Sequence, residues 1–244
     1  MRRVMAMVAT AILVLSAGCG SASYESRLMS TLESMSYRKR LDDNLMPPPA
    51  KGIAPFEDLS IFLRPPKNLA QSKEFQMTVL EPGQYDLESS FFEEKKQNLH
   101  VLARVKKSRS ASKKPAAPTP AETAVRGEFN RDVVGLVGNV YGVADDLGIE
   151  KFKEVSKKAN KFKYHTFATS DKHVQVYLYK VDPYEVALIF DYPSSEQASL
   201  ASRINLALES FAVGPRAKNR FAGALGDEAS GGAVTAEGAP RQAF

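Results

Sequence analysis

The 244-residue chain has one cysteine, no tryptophan and three histidines. A lone cysteine excludes an intramolecular disulfide, and with no second thiol there is no cysteine pair to hold zinc or an iron–sulfur cluster. His100, His165 and His173 fall in no recognised metal-ligand spacing such as H-E-x-x-H. The sequence also lacks a G-x-S-x-G elbow, a P-loop and an EF-hand loop. Excess charge of one sign is small: the formal net charge is +5, and +3 once Arg2 and Arg3 are set aside. Nucleic-acid binding needs basic charge concentrated on one face, so no nucleic-acid partner is expected. Beyond residue 20 no apolar run approaches the roughly 20 residues of a membrane-spanning helix.

What the sequence does have begins with an uncharged run of 15 residues, Val4 to Gly18, preceded by Arg2 and Arg3 and followed by Cys19. This is the layout of a secretory signal, and it falls short of the roughly 20 residues of a permanent anchor. The stretch Leu15-Ser16-Ala17-Gly18-Cys19 resembles the lipobox of bacterial lipoprotein precursors, in which leucine and two small residues precede the cysteine that becomes the mature N-terminus. The family usually places leucine three before the cysteine; here Ser16 holds that place and Leu15 precedes it. The resemblance implies a signal peptide over residues 1–18 and lipidation of Cys19. Each buried methylene of an acyl chain contributes about 0.8 kcal/mol, so several chains make a stable tether. The implied location is the bacterial cell envelope, facing the periplasm, with outer-membrane sorting permitted by Gly20. The alternative is an ordinary signal cut after Gly18 or Ala22, which releases a secreted soluble protein.

Residues 19–55 read as a lipid-anchored N-terminal helix and a proline-rich tether. Tyr24, Leu28, Leu32 and Met35 recur at helical spacing, which predicts an amphipathic helix from about Tyr24 to Leu41, stopped by Pro47 to Pro49. Its apolar stripe suits a membrane surface, a partner helix or the protein's own body. Residues 56–214 read as an α+β domain interrupted by a disordered linker at 106–124, whose composition is basic, proline-rich and poor in apolar residues. Lys106, Lys107, Arg109, Lys113 and Lys114 give that linker a possible polyanion contact, against the plain reading of a solvated connection. Residues 215–244 are Ala- and Gly-rich with little apolar periodicity and are expected to be a disordered tail.

Within the domain, Leu59 to Leu63, FQMTVL and LHVLARV read as extended segments. EFNRDVVGLVGNVYGVADD places Val133, Leu136, Val137, Val140 and Tyr141 on one helical face, with Gly135, Gly138 and Gly142 on the other, which implies either that another backbone approaches there or that the helix is weak. IEKFKEVSKKANKF places Ile149, Phe152, Val155, Ala159 and Phe162 along one side of a second predicted helix. The clearest pattern follows. Val174, Val176 and Leu178 alternate with Gln175, Tyr177 and Tyr179, Asp182-Pro183 makes a turn, and Val186, Leu188 and Phe190 alternate in a second strand. A helix carrying Leu200, Ile204, Leu208 and Phe211 would then cover this hairpin. The expected fold class is α+β, an antiparallel sheet covered by helices. This order of elements, carried by VYLYKVDPYEVALIFDYP and INLALESF, resembles the PsbP-like family, and no residue-level binding motif transfers with the resemblance.

Three sets of residues are candidates for chemistry. Tyr177 and Tyr179, read as an outward aromatic pair, are a candidate partner surface, because tyrosine combines apolar area with a hydrogen-bonding tip, against the plain reading of half-buried sheet packing under a helix. His165, Asp171 and His173 are the residues of an alternative two-histidine, one-carboxylate metal site for a hydrolase, against the plain reading of surface or strand-edge histidines. The acidic pairs Asp42-Asp43, Glu93-Glu94 and Asp145-Asp146 would need burial to shift one partner's pKa. The expected function is a non-enzymatic, membrane-anchored envelope lipoprotein with a binding or scaffolding domain. It requires no cofactor or metal, and its partners are the membrane, through the lipid anchor, and a protein or envelope polymer. The alternatives are an envelope enzyme and a polyanion-binding protein.

Overall fold

The computed structural model describes residues 21–47, 56–77, 83–94, 96–106, 127–144 and 147–229. Cys19 and the linker residues Lys107, Arg109, Lys113 and Lys114 lie outside them. The chain divides into two compact units, residues 1–44 and 45–244.

The described part of the first unit is one helix, α1 (Ser21–Asn44). At 1.5 Å per residue its 24 residues run about 36 Å. Tyr24, Leu28, Met29, Leu32 and Met35, which include the predicted stripe, are exposed. The Thr31 and Ser34 hydroxyls donate to the carbonyls of Arg27 and Ser30, and Lys39 pairs with Asp43 one turn on at 2.9 Å. Among the described residues no helix is long and apolar enough to cross a membrane.

The second unit is built on a seven-stranded antiparallel sheet. Its strands are β2 (Ala70–Gln71), β3 (Leu87–Glu93), β4 (Gln97–Val105), β5 (Lys153–Lys157), β6 (Asn160–Ala168), β7 (Lys172–Val181) and β8 (Tyr184–Pro193). Their order across the sheet is β2-β3-β4-β8-β7-β6-β5. A two-stranded ribbon pairs β1 (Ile61–Phe62) with β9 (Ala212–Val213). The helices are α2 (Phe129–Tyr141), α3 (Gln197–Ser210) and α4 (Pro215–Ala229).

Because successive strand residues point to opposite faces, the register sorts the core into two layers. Leu102, Val174, Val176, Leu178, Ala187 and Ile189 pack on one face with Phe129, Val133, Leu136 and Val137 of α2. The other face carries Phe162, Tyr177, Tyr179, Leu188 and Phe190, with Leu200, Ile204 and Leu208 of α3 buried on that side. The two-residue turn Asp182-Pro183, with a cis peptide bond, closes the β7–β8 hairpin where the sequence predicted it. Helix α2 ends at Gly142, whose left-handed φ of +68° lets its N–H close back onto the Gly138 carbonyl.

The sequence reading fails in three places. The predicted helix over IEKFKEVSKKANKF is a 3₁₀ turn, Ile149–Lys151, followed by the β5–β6 hairpin. Its apolar positions fit a helical face, but in the hairpin Val155 lies directly opposite Phe162 across the turn at Lys158-Ala159. Of FQMTVL, residues 75–77 are described and form no strand. Residues 215–229, expected to be part of a disordered tail, form α4, because Ala217 and Phe221, one turn apart, are buried, Phe221 edge-on to Phe62 at 5.1 Å. Residues 230–244 lie outside the described residues.

Candidate functional site

Asp191 is a charged residue that ends the apolar run Val186–Phe190 of strand β8, only 2% exposed. A buried carboxylate is costly unless hydrogen bonds and opposite charge replace its water, and four donors do so here. Asn98 Nδ2 and Lys172 Nζ donate to Oδ1, each at 2.9 Å. The Tyr141 hydroxyl donates to Oδ2 at 2.8 Å, and His100 Nε2 lies 3.2 Å from the same oxygen. Burial alone would raise this carboxyl, yet the hydrogen bonds from His100, Lys172 and Tyr141 and the Lys172 charge hold it well below the usual carboxylate range. The Tyr141 phenol is pushed far up, first by burial and then by the Asp191 charge, so it stays a donor at neutral pH.

Topology brings these groups together. Asn98 lies directly opposite Asp191 in the β4–β8 ladder. His100, two residues along, shares their face, and across β3 it stands opposite Ser90. Lys172 begins β7 and Tyr141 ends α2, so both reach the same end of the same face. Ser90 Oγ accepts the Gln76 N–H at 3.1 Å and lies 2.8 Å from His100 Nδ1. A neutral imidazole protonated on Nε2 satisfies the whole chain, with Ser90 donating to Nδ1 and Nε2–H donating to Asp191.

A cavity of about 420 Å³ opens over this cluster, walled by Asn98, Tyr141, Lys172, Met77, Val140 and the β6–β7 loop residues Thr169 to Asp171. In that loop Thr169 Oγ1 accepts the Lys172 N–H at 3.1 Å and donates to Asp171 Oδ1 at 3.2 Å.

The order Ser90–His100–Asp191 has the composition of a nucleophilic triad and the opposite orientation. In serine hydrolases the imidazole turns Nε2 to the serine and Nδ1 to the acid, and the hydroxyl faces the substrate. Here Nδ1 meets Ser90, Nε2 meets Asp191, and Ser90 is 1% exposed behind the imidazole while His100 and Asp191 line the cavity.

The residues singled out from sequence fare differently. Tyr177 and Tyr179 are each 5% exposed and form packing of the sheet under a helix rather than an outward partner surface: Tyr177 stacks on Tyr164 at 4.7 Å, and Tyr179 meets Phe211 edge-on at 5.0 Å. Their side of β7 is the side that the α3 layer covers. His165, Asp171 and His173 do not converge. His165 lies opposite Val176 on the α2 face, whereas His173 lies opposite Ala168 on the other. His165 packs against the Phe152 ring, and the Thr166 hydroxyl engages His173 Nε2 at 2.8 Å. Among the described residues no group of three or more His, Cys, Asp or Glu is arranged to hold a metal ion. Lys106 lies within 4.0 Å of Asp182 and Glu185. His100 and Asp191 escaped the sequence reading, although each is a polar residue interrupting an apolar strand, LHVLARV and ALIFDY.

No protein-family model and no curated protein sequence matches the chain. Among solved structures, cyanobacterial PsbP (CyanoP) from Synechocystis sp. PCC 6803 is similar at TM-score 0.40 and 10% identity, over 70% of this chain and 93% of that one. A Bacteroides thetaiotaomicron protein is similar at TM-score 0.36 and 8% identity, over 63% of this chain. The match covers 45% of the Bacteroides protein, so this chain spans less than half of its length. The resemblance to PsbP is a weak one of fold.

Proposed function

We propose that this protein is a lipid-tethered component of the bacterial cell envelope whose α+β body binds or scaffolds a partner without catalysing a reaction. The tether is supported by the basic start, the uncharged run and the solitary cysteine of LSAGC. The observation that carries the non-catalytic reading is the orientation of the Ser90–His100–Asp191 chain. Its hydroxyl is buried and its acid, already taken up by four donors, sits at the cavity. Such a cluster orders a wall of fixed polarity and offers no nucleophile. Two measurements test the proposal. Radiolabelled fatty acid is incorporated by the wild type and lost in Cys19→Ser; label that survives the substitution removes the tether. A fluorophosphonate probe leaves Ser90 unmodified, and covalent labelling there would make the protein an enzyme.

A further inference from the structure

We propose that the cavity beside Asp191 binds a small neutral polyhydroxylated ligand, such as a sugar unit of an envelope polymer. The inference rests on reading the protein as an envelope binding module, and gives that module a ligand class. Charge is the first argument. The ammonium of Lys172 meets the carboxylate of Asp191 at 2.9 Å, and the remaining donors complete the acid's two oxygens. The buried floor is thus electrically satisfied, and the one further charge in the lining, the exposed Asp171 carboxylate at the rim, accepts from the Thr169 and Ser170 hydroxyls and can accept a ligand hydroxyl in the same way.

Polarity is the second. Asn98 uses one amide hydrogen on Asp191 and retains the other along with its carbonyl oxygen. The Thr169 and Ser170 hydroxyls sit in the rim beside it, where they donate to Asp171 at 3.2 and 3.5 Å and Ser170 Oγ keeps its lone pairs for a ligand donor. A sugar hydroxyl both donates and accepts, so it needs neighbouring groups that do both, as carboxamides and hydroxyls do. Shape is the third. Met77, Val140 and Tyr141 give the same cavity an apolar wall suited to the C–H face of a ring, and its volume of about 420 Å³ fits a small organic ligand. The floor is fixed before any ligand arrives, since His100 and Asp191 are each at most 4% exposed and held by partners on several elements. Ordering costs on binding are correspondingly small.

The test uses the full chain purified in detergent micelles, titrated with N-acetylglucosamine and its linear disaccharide, with ethanolamine and magnesium chloride as comparison ligands. Backbone amide shifts report the site. The expected result is saturable, millimolar binding of the sugars with shifts at Asn98, Tyr141 and Thr169 to Lys172, weakened about tenfold or more in Asn98→Ala and in Ser170→Trp. Ser170 is an exposed loop residue, so filling the rim there leaves the core packing alone. Three results overturn the proposal: no saturable shift with either sugar, sugar shifts unchanged in Ser170→Trp, or shifts at these residues with ethanolamine or magnesium and none with sugar. Fatty-acid labelling of the same preparation keeps the two readings separate. Sugar binding without label overturns the tether alone, and label without sugar binding overturns the ligand alone.

Discussion

At the scale of single residues, Asp191 has the largest consequences. Its pKa is lower in the fold than in the unfolded chain, where a carboxyl titrates near 3.9, so the native state binds fewer protons. The stability it confers is fully present above about pH 4 and is lost as pH falls below that. His165 and His173 act in the same direction at higher pH. Burial, first among the causes, holds both imidazoles below their usual value, so acidification through about pH 6.5 already favours the unfolded chain. The urea midpoint is therefore expected to fall in two stages on acidification. Asp191→Asn should flatten the second stage, and a variant that keeps the wild-type slope below pH 4 would assign that stage to other carboxylates. Asp191→Ala leaves donors from His100, Tyr141, Lys172 and Asn98 without their acceptor, at a cost of about 3 kcal/mol in the same denaturation experiment. This site was hard to read from sequence because Ser90, His100, Tyr141, Lys172 and Asp191 come from five elements, and only the strand order makes them neighbours. What the sequence does show is the polarity mismatch of His100 and Asp191 within their strands.

At the scale of elements, the sequence was most legible where one period dominates. Val174, Val176 and Leu178 alternate along β7 with Gln175, Tyr177 and Tyr179, β8 follows as a short apolar run after the Asp182-Pro183 turn, and α3 buries Leu200, Ile204 and Leu208 at helical spacing. It was misleading for β5 and β6, where lysines interrupt sparse apolar positions that fit either period, and pairing across a turn decided the outcome. In α2 the three glycines separate by what surrounds them. A Cβ on Gly138 would come within 2.8 Å of the Ala144 backbone, whereas one on Gly135 would meet nothing within 4 Å. The close approach inferred from the glycine face is real at Gly138 and is made by the chain returning from the Gly142 cap. Gly135→Ala is expected to stabilise the protein by up to about 1 kcal/mol through helix propensity. Gly138→Ala should destabilise it despite the same gain, because backbone must shift. Thermal denaturation of the two variants checks the pair, and equal shifts of one sign would show that propensity alone governs this helix.

At the scale of the whole second unit, the chain that enters at β1 is held by the chain that leaves at β9. Ile61 pairs with Val213 and Phe62 with Ala212, and the Gly214 N–H donates to the Ser60 carbonyl at 2.8 Å. Helix α4 then lies on this ribbon. Phe221 packs on Phe62, Arg216 donates to Asn160 Oδ1 at 3.2 Å, and Arg220 donates to the Ser210 carbonyl. Asn160 in turn donates to the carbonyls of Leu208 and Phe211 at the end of α3, so α4 is tied through one buried amide to both the sheet and the helix covering it. The composition of residues 215–244 concealed this, because two apolar contacts one turn apart are enough to dock a helix and too few to show as periodicity. A chain ending at Gly214 should therefore lose stability as well as length. Phe221→Ala by itself is expected to cost about 3 kcal/mol, the usual scale for emptying a buried aromatic site. The truncated chain should lose at least as much, since it also exposes Phe62 and leaves Asn160 without its Arg216 partner. Urea denaturation of the three chains measures the order, and a truncated chain with the wild-type midpoint would show that α4 contributes nothing to holding the ribbon closed.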